Sequence, residues 1–207
     1  MRGSAFIRLK IVQTGEPVLR QVARQVLRDE IARDETQRLI EAMRDTMRDA
    51  PGVGLAAPQV GVPLQIAVIE DREEYAREMT PETRAERDRH PVPFHVIINP
   101  ELVPDEGDPV EFYEGCLSVP GFTAIVPRAR SVTVRCLDEN GQEKSIRAQG
   151  WYARILQHEI DHLHGKLYLD RMITRSYATI DNFNRHWKAL PIPEVRSALA
   201  ASELDRS

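Results

Sequence analysis

The chain has 207 residues, of which 42% are hydrophobic and 29% are charged, and its formal net charge is −4. These values predict one globular domain with a sizeable core, and the lack of a long basic block argues against a nucleic-acid or membrane surface. The apolar runs are far shorter than the roughly 20 residues that a membrane-spanning helix needs, and the N-terminus does not resemble a secretion signal.

The first part of the chain contains one clear helical pattern. Residues 34–50 carry an apolar stripe that includes Leu39, Met43 and Met47, and Pro51-Gly52 ends the pattern. Residues 18–33 fit either a broken helix or an extended arm, and residues 6–12 alternate between apolar and polar positions.

The middle of the chain is rich in predicted strands. Short β-branched segments are separated by turn residues, at 64–70, 94–99, 109–113, 122–126, 131–137 and 143–148. Asp138-Glu-Asn-Gly141 is typical of a hairpin between the last two. The charged residues 71–93 predict a solvated insertion, partly helical or mobile, that touches no functional residue.

The remaining elements follow from the same patterns. Apolar residues from Trp151 to Leu163 recur at helical spacing, and Gly165 is placed to cap that helix. Residues 166–172 predict an extended exit and residues 177–188 a C-terminal helix. We therefore expect an α+β fold in which antiparallel β-sheets pack around this central helix, with an N-terminal helix and a C-terminal helix. One catalytic domain would span residues 1–190, and 191–207 would be a polar, frayed tail.

The central helix carries the sequence His-Glu-x-x-His. Side chains four residues apart share a helix face, so His158 and His162 can offer two imidazoles to one metal ion, with Glu159 beside them as general base. The alternative is a buried helix whose histidines are satisfied by the core, and the five-residue pattern alone does not decide between them.

A third ligand would support the metal site, and the cysteines are the best candidates. Cys136 lies in a β-pattern where it fits simple packing, whereas Cys116 follows a glycine outside any periodicity. His164 lies off the ligand face and His186 lies in the last predicted helix, so both are weaker choices. A disulfide between the two cysteines is the alternative.

Residues 52–61, Gly-Val-Gly-Leu-Ala-Ala-Pro-Gln-Val-Gly, form a glycine-rich segment. The segment lacks the lysine of a phosphate-binding loop, so we reject that interpretation. It fits either a tight turn or a backbone that a ligand approaches closely.

Three motifs in this order resemble the signatures of the peptide deformylase family. They are Gly52-Val-Gly-Leu-Ala-Ala-Pro-Gln59, Glu114-Gly-Cys-Leu-Ser118 and Gln157-His-Glu-Ile-Asp-His162. The resemblance extends over about residues 18–172 and implies a hydrolase that removes the N-formyl group from the initiator methionine of nascent polypeptides. Other interpretations are a general endopeptidase or a non-enzymatic peptide-binding protein with a structural metal.

The resemblance also implies roles for individual residues. Cys116, His158 and His162 would bind one divalent metal ion, Glu159 would be the acid/base, and the Gln59 side chain and Leu117 backbone N–H would stabilise the oxyanion. A thiolate with two imidazoles suits Fe²⁺, Zn²⁺ or Co²⁺, and we expect Fe²⁺ in the native protein, with Ni²⁺ also able to occupy the site.

The substrate would be a formyl-methionyl nascent peptide at the ribosome exit. Val53, Gly54 and Gly115 would present backbone to the extended peptide. The methionine pocket would be lined by Val53, Trp151, Arg154 and Ile155, and Ile155 is the strongest candidate because it lies three residues before His158. Trp151 fits the core equally well, and Arg154 fits the rim equally well. The absence of an Arg/Ser-rich leader favours a bacterial cytoplasmic protein over an organellar one without its transit peptide.

Overall fold

This computed structural model describes residues 7–77 and 79–204, the last four by their backbone alone. The helices are α1 (Arg28–Ile31), α2 (Asp34–Asp49), α3 (Pro81–Glu86), α4 (Gly150–Leu163), α5 (Ile180–Asn182) and α6 (Ile192–Leu204). The strands are β1 (Gly54–Ala56), β2 (Ile66–Asp71), β3 (Val92–Pro104), β4 (Val110–Cys116), β5 (Val119–Arg128), β6 (Ser131–Leu137), β7 (Glu143–Gln149) and β8 (Ala178–Thr179). None of the helices in the described part of the chain is long and apolar enough to cross a membrane.

The strands form two antiparallel sheets. The larger has the order β1-β2-β3-β6-β7 and the smaller has the order β4-β5-β8. The β6–β7 pair runs from Ser131↔Gln149 to Leu137↔Glu143, which confirms the predicted hairpin. The α+β class is therefore confirmed, and the six predicted strands are all present.

Helix α4 lies at the centre of the molecule. One side of α4 packs on the larger sheet, where Ile155, Leu156 and Leu163 are buried against strand residues such as Val134. Its other side reaches the smaller sheet through Arg154, whose guanidinium donates to the Val126 carbonyl. The predicted central helix is confirmed, and both sheets contribute to its surroundings.

The predicted N-terminal helix is α2, whose buried residues Ile40, Met43 and Met47 pack on β2 and β3. Residues 18–33 are mostly extended, with a 3₁₀ turn at Pro17–Arg20 and the short α1. Residues 7–12 form no strand, and Phe6 lies outside the described residues.

Two predictions for the C-terminal part are wrong. Residues 177–188 do not form one helix: β8 pairs with β5, and α5 and a π-helical turn (Phe183–Trp187) follow. The predicted frayed tail contains α6, because Val195 is fully buried against Tyr113 and Ile125. The domain boundary at residue 190 stays a prediction.

The segments flanking the middle of the chain also differ from expectation. The predicted extended exit at 166–172 contains a 3₁₀ turn, Tyr168–Asp170, with Tyr168 buried in a third apolar cluster. The insertion at 71–93 contains a 3₁₀ turn (Glu73–Ala76) and α3, and it is tied down by an Asp71–Arg89 ion pair that is almost completely buried.

Candidate active site

Helix α4 places three candidate residues on one face. His158, Glu159 and His162 lie within about one turn of the helix, and the ring centroids of the two histidines are 4.9 Å apart. The helix ends in a Schellman motif, in which the Lys166 N–H donates to the Asp161 carbonyl at 2.9 Å and Gly165 has a φ of +69°. Gly165 is therefore the predicted cap, and the helix ends one residue after the second histidine.

Cys116 meets the histidines at the end of β4. Its Sγ lies 3.3 Å from His162 Nε2, and one ligand atom from each of Cys116, His158 and His162 lies within 4.8 Å of the others. Both cysteines are free, and Cys136 is buried in the core as the packing interpretation predicted. His164 bonds the Ile160 carbonyl and His186 is exposed, so neither joins the cluster.

The surroundings of these ligands fit a metal ion. His158 Nδ1 lies 2.9 Å from Glu114 Oε2, which holds this nitrogen in the protonated form and leaves Nε2 for a metal. The His162 ring is almost completely buried, and its Nδ1 has no hydrogen-bond partner. A thiolate and two imidazoles make a donor set suited to Zn²⁺, Fe²⁺ or Co²⁺, so the three residues can hold a divalent ion.

Glu114 is the centre of a buried ion network. Its Oε1 accepts from Arg128 Nε at 3.0 Å and from Arg154 Nη1 at 2.6 Å, while Oε2 accepts from Arg128 Nη2 at 3.0 Å and from His158. Arg128 also pairs with Asp161, which in turn accepts two bonds from Arg171. The orientation of His158 is therefore fixed by a chain of charges that begins at the protein surface.

This network shifts the proton affinities of the groups around it. Burial alone would raise the pKa of Glu114, but the bond to His158 and the charge of Arg128 hold that pKa well below its usual range. Burial and the neighbouring His158 charge lower the pKa of His162, which favours the neutral imidazole that binds metals.

Glu159 is buried beside the candidate metal ligands. Its side chain is 4% exposed, its Oε2 has no hydrogen-bond partner, and burial raises its pKa to about 7. A Cβ at Gly54 would lie only 2.3 Å from Glu159 Oε1, so glycine at this position makes room for the carboxylate. A carboxyl with this pKa can accept and release a proton near neutrality.

Gln59 is held with its amide nitrogen towards the ligands. The Ala56 N–H donates to Gln59 Oε1 at 2.8 Å, and this fixes Nε2, which lies 3.5 Å from Cys116 Sγ and 3.3 Å from Ser118 Oγ. Leu117 follows Cys116 in the tight connection between β4 and β5. Two potential donors, the Gln59 amide and the Leu117 N–H, therefore belong to residues that border the cysteine.

A cavity of about 410 Å³ opens onto these groups. Its lining contains the peptide-facing candidates Val53, Gly54 and Gly115 and the pocket candidates Trp151, Arg154 and Ile155. Gln59, Cys116, Leu117, His158 and Glu159 line the same space. Of the predicted site residues, His162 alone is not part of the lining and lies behind Cys116.

Two expectations about this cavity are corrected. Arg154 does not lie at the rim: it is 2% exposed and donates to Glu114. The 71–93 insertion does touch the cavity wall, because the guanidinium groups of Arg87 and Arg89 lie 5.0 and 5.2 Å from the Trp151 ring centre. Cation–π contacts of this kind hold the Trp151 indole in place.

Several residues of the site were missed from the sequence. Arg128, Asp161 and Arg171 were not singled out, although the acidic residue between the two histidines was a usable signal. Phe122 and Ile180 also line the cavity. No local pattern marks these two, since they meet only through the pairing of β5 with β8.

Comparison with known proteins gives consistent matches. The family model described as polypeptide deformylase matches residues 8–177. The chain is 47% identical over 174 residues to peptide deformylase 1A, chloroplastic, of Solanum lycopersicum, covering 84% of this chain and 63% of that protein. It is 45% identical over 196 residues to peptide deformylase 1 of Streptomyces coelicolor, covering 95% of this chain and 87% of that one.

A solved structure shares the fold. The class I type b peptide deformylase from Acinetobacter baumannii, bound to Met-Ala-Ser, is 33% identical and superposes with a TM-score of 0.72. The match covers 81% of this chain and 99% of that chain. The similar proteins thus come from bacteria and from a plant organelle, and the chain spans less than two thirds of the length of the plant protein.

Proposed function

We propose that this chain, which belongs to the polypeptide deformylase family, removes the N-formyl group from the initiator methionine of nascent polypeptides and releases formate. Members of this family are metal-dependent enzymes that catalyse this hydrolysis. The observation that carries the proposal is the meeting of Cys116, His158 and His162 beside Glu159 in one cavity. A general endopeptidase has no comparable support.

The chain's own residues have distinct tasks in this reaction. A divalent ion held by Cys116, His158 and His162 would supply Lewis acidity and a nucleophile at neutral pH. Glu159 takes a proton from the attacking water and delivers it to the leaving amine. Gln59 Nε2 and the Leu117 N–H donate to the oxyanion, and one such donor is commonly worth roughly 3–4 kcal/mol.

The cavity walls select the substrate. β1, which contains Gly54, is an edge strand of the larger sheet, and Gly115 in β4 is exposed, so both can present backbone to an extended peptide, as in strand addition. The methionine side chain lies against Val53, Ile155 and Trp151, while Arg154 holds Glu114 in place through a buried ion pair. That a related protein was solved with Met-Ala-Ser bound supports a methionine at this site.

The finer assignments belong to the same proposal. Fe²⁺ is the native ion, with Zn²⁺, Ni²⁺ or Co²⁺ able to replace it, because the Cys-His-His donor set accepts all of these. The substrates are formyl-methionyl nascent chains at the ribosome exit. The location is the bacterial cytoplasm, with an organellar matrix as the alternative, since the Streptomyces protein aligns over more of the chain than the plant protein does.

Release of formate from a formyl-methionyl peptide tests the activity. Protein prepared without oxygen and loaded with Fe²⁺ is expected to hydrolyse formyl-Met-Ala-Ser at least about a hundredfold faster than acetyl-Met-Ala-Ser, because the space beside Gly54 and Glu159 is closely packed. Similar kcat/KM values for the two peptides would contradict the deformylase proposal whichever metal is bound.

Ligation is tested separately by metal analysis. Cys116→Ser is expected to lose its metal or bind it much more weakly, because serine replaces the thiolate with a hydroxyl that stays protonated. Cys136→Ser is the matched control and should retain one ion per chain, since Cys136 packs in the core. Equal metal loss in both variants would show that the ligand set is different.

A further inference from the structure

We propose that a second cavity, between α3, β4 and the C-terminal residues 183–192, binds a small carboxylate that bears an apolar group, such as an aromatic acid. This cavity has a volume of about 180 Å³ and shares none of its lining residues with the metal cavity. The inference concerns a separate site and does not depend on the proposed function.

Arg87 is the residue on which the second cavity depends. Its guanidinium lies between two aromatic rings, 5.4 Å from the ring centre of Phe112 and 5.0 Å from that of Trp151. Such contacts use the electron-rich face of each ring and provide no acceptor atom for the N–H groups of the guanidinium. In the described part of the chain, no carboxylate or carbonyl oxygen accepts a hydrogen bond from the Arg87 side chain.

The lack of a carboxylate sets Arg87 apart from its neighbours. Each of the nearby arginines has one, in the pairs Arg84–Glu73, Arg89–Asp71 and Arg154–Glu114. Burial and the charges of Arg89 and Arg154 lower the pKa of Arg87 to about 10, and the opposing influence of Glu86 is the smallest of these. A bound anion would therefore stabilise a positive charge that the protein itself leaves without a partner.

Other groups around the second cavity also favour a negative charge. Lys188 lines the cavity, as do Pro191 and Ile192 at the start of the 13-residue helix α6, where the helix dipole carries partial positive charge. Tyr113 belongs to the same lining, and its hydroxyl is buried without a hydrogen-bond partner. Among the lining residues the one acidic side chain is Glu86, which is exposed.

The remaining walls are apolar and decide what accompanies the carboxylate. They consist of Phe112, Phe183, Trp187, Leu190 and Ile192. An apolar cavity of roughly 150 Å³ holds one benzene ring, so a single aromatic ring fits this space. The ring would bury apolar area while its carboxylate accepts two parallel N–H bonds from Arg87.

Titration calorimetry of the metal-loaded protein with benzoate tests the site. We expect one benzoate per chain with a dissociation constant on the order of 1 mM. Benzyl alcohol keeps the ring without the charge, and inorganic phosphate keeps the charge without the ring. Each of these two probes should bind at least about tenfold more weakly than benzoate, because each loses one of the two contributions.

Substitutions locate the bound carboxylate. Arg87→Gln should weaken benzoate binding at least about tenfold, because it removes both the charge and the paired N–H donors. Lys188→Gln, at an exposed position of the lining, should weaken it several-fold and decides the question if Arg87→Gln does not fold. Arg147→Gln is the matched control, since it removes an exposed positive charge on β7 outside the lining and should leave benzoate binding unchanged. Thermal unfolding of each variant reports whether the fold is retained.

Three outcomes would overturn the proposal. If benzyl alcohol bound as tightly as benzoate, the cavity would be apolar and indifferent to charge. If phosphate bound as tightly as benzoate, the site would take any small anion and its apolar walls would contribute nothing. If Arg87→Gln and Lys188→Gln changed benzoate binding no more than Arg147→Gln does, the carboxylate would bind elsewhere, such as at the metal.

Discussion

Replacing Glu159 by glutamine is expected to lower kcat by about 10²- to 10⁴-fold while the protein keeps its fold and its metal. Glutamine has nearly the shape of glutamate but cannot take up a proton near neutral pH. Because Glu159 Oε2 has no hydrogen-bond partner, the amide loses no bond at this atom and the melting temperature should not fall. Formate release, metal content and thermal unfolding are measured on the same preparation.

The control for this substitution is Glu35→Gln, at an exposed position on α2. It removes the same charge far from the cavity and should change neither kcat nor metal content. A Glu159→Gln variant with kcat within a few-fold of the unaltered protein would show that Glu159 does not transfer the proton and only shapes the space beside Gly54.

The parts of the site that were predictable from the sequence are the local ones. The two histidines share a face because positions i and i+4 lie on the same side of any helix, and Gly165 ends that helix through a motif confined to the six residues from Asp161 to Lys166. Cys116 was found by contrast with Cys136, whose alternating neighbours indicated a strand. Each of these inferences needs only the residues next to one another in the chain.

The parts that were missed depend on contacts between distant segments. Residues 177–188 have a helical pattern, but two of them, Ala178 and Thr179, pair with Thr123 and Phe122, and this pairing overrides the local preference. Residues 191–207 are polar enough to suggest a tail, yet α6 docks through the buried Val195, with Ile192 and Leu199 packed in the same cluster. Similarly, nothing local shows that Arg87 and Arg89 of a charged insertion reach Trp151.

The ion network around Glu114 has one part that the local sequence predicts and another that depends on contacts between distant segments. Glu114 belongs to a recognisable motif, but its partners Arg128, Arg154 and His158 come from β5 and α4 and meet only in the folded chain. Arg154, which the sequence suggested for either the methionine pocket or its rim, therefore binds Glu114, the carboxylate that bonds the candidate metal ligand His158. Positions of this kind have large consequences for both stability and function, because each buried charge depends on the others.

Glu114→Gln is accordingly expected to be the most destabilising of the substitutions considered. The amide is neutral and has one acceptor oxygen in place of two, so Arg128 and Arg154 lose the carboxylate that both of them share. Breaking a buried ion pair by removing one partner costs roughly 3–5 kcal/mol in the free energy of unfolding. Denaturant unfolding of the metal-free protein measures this loss without any contribution from the ion.

The matched control is Glu143→Gln, which removes the same charge from an exposed ion pair. Arg28 and Glu143 are 65% and 81% exposed, so solvent screens their attraction and the loss should be below about 1 kcal/mol. Equal losses for Glu114→Gln and Glu143→Gln would show that the network around Glu114 contributes nothing beyond an ordinary surface pair.

The same substitution has a second, separate effect on the metal. Without the carboxylate at 2.9 Å, His158 Nδ1 is no longer held in the protonated form, and loss of such a partner typically weakens metal binding by about 10- to 100-fold. Titration of the folded variant with Zn²⁺ at a temperature well below its melting point measures this loss of metal affinity. Unchanged Zn²⁺ affinity together with lowered stability would mean that Glu114 supports the fold alone, whereas a loss of both would show that one carboxylate fixes the helix to the small sheet and orients the metal ligand.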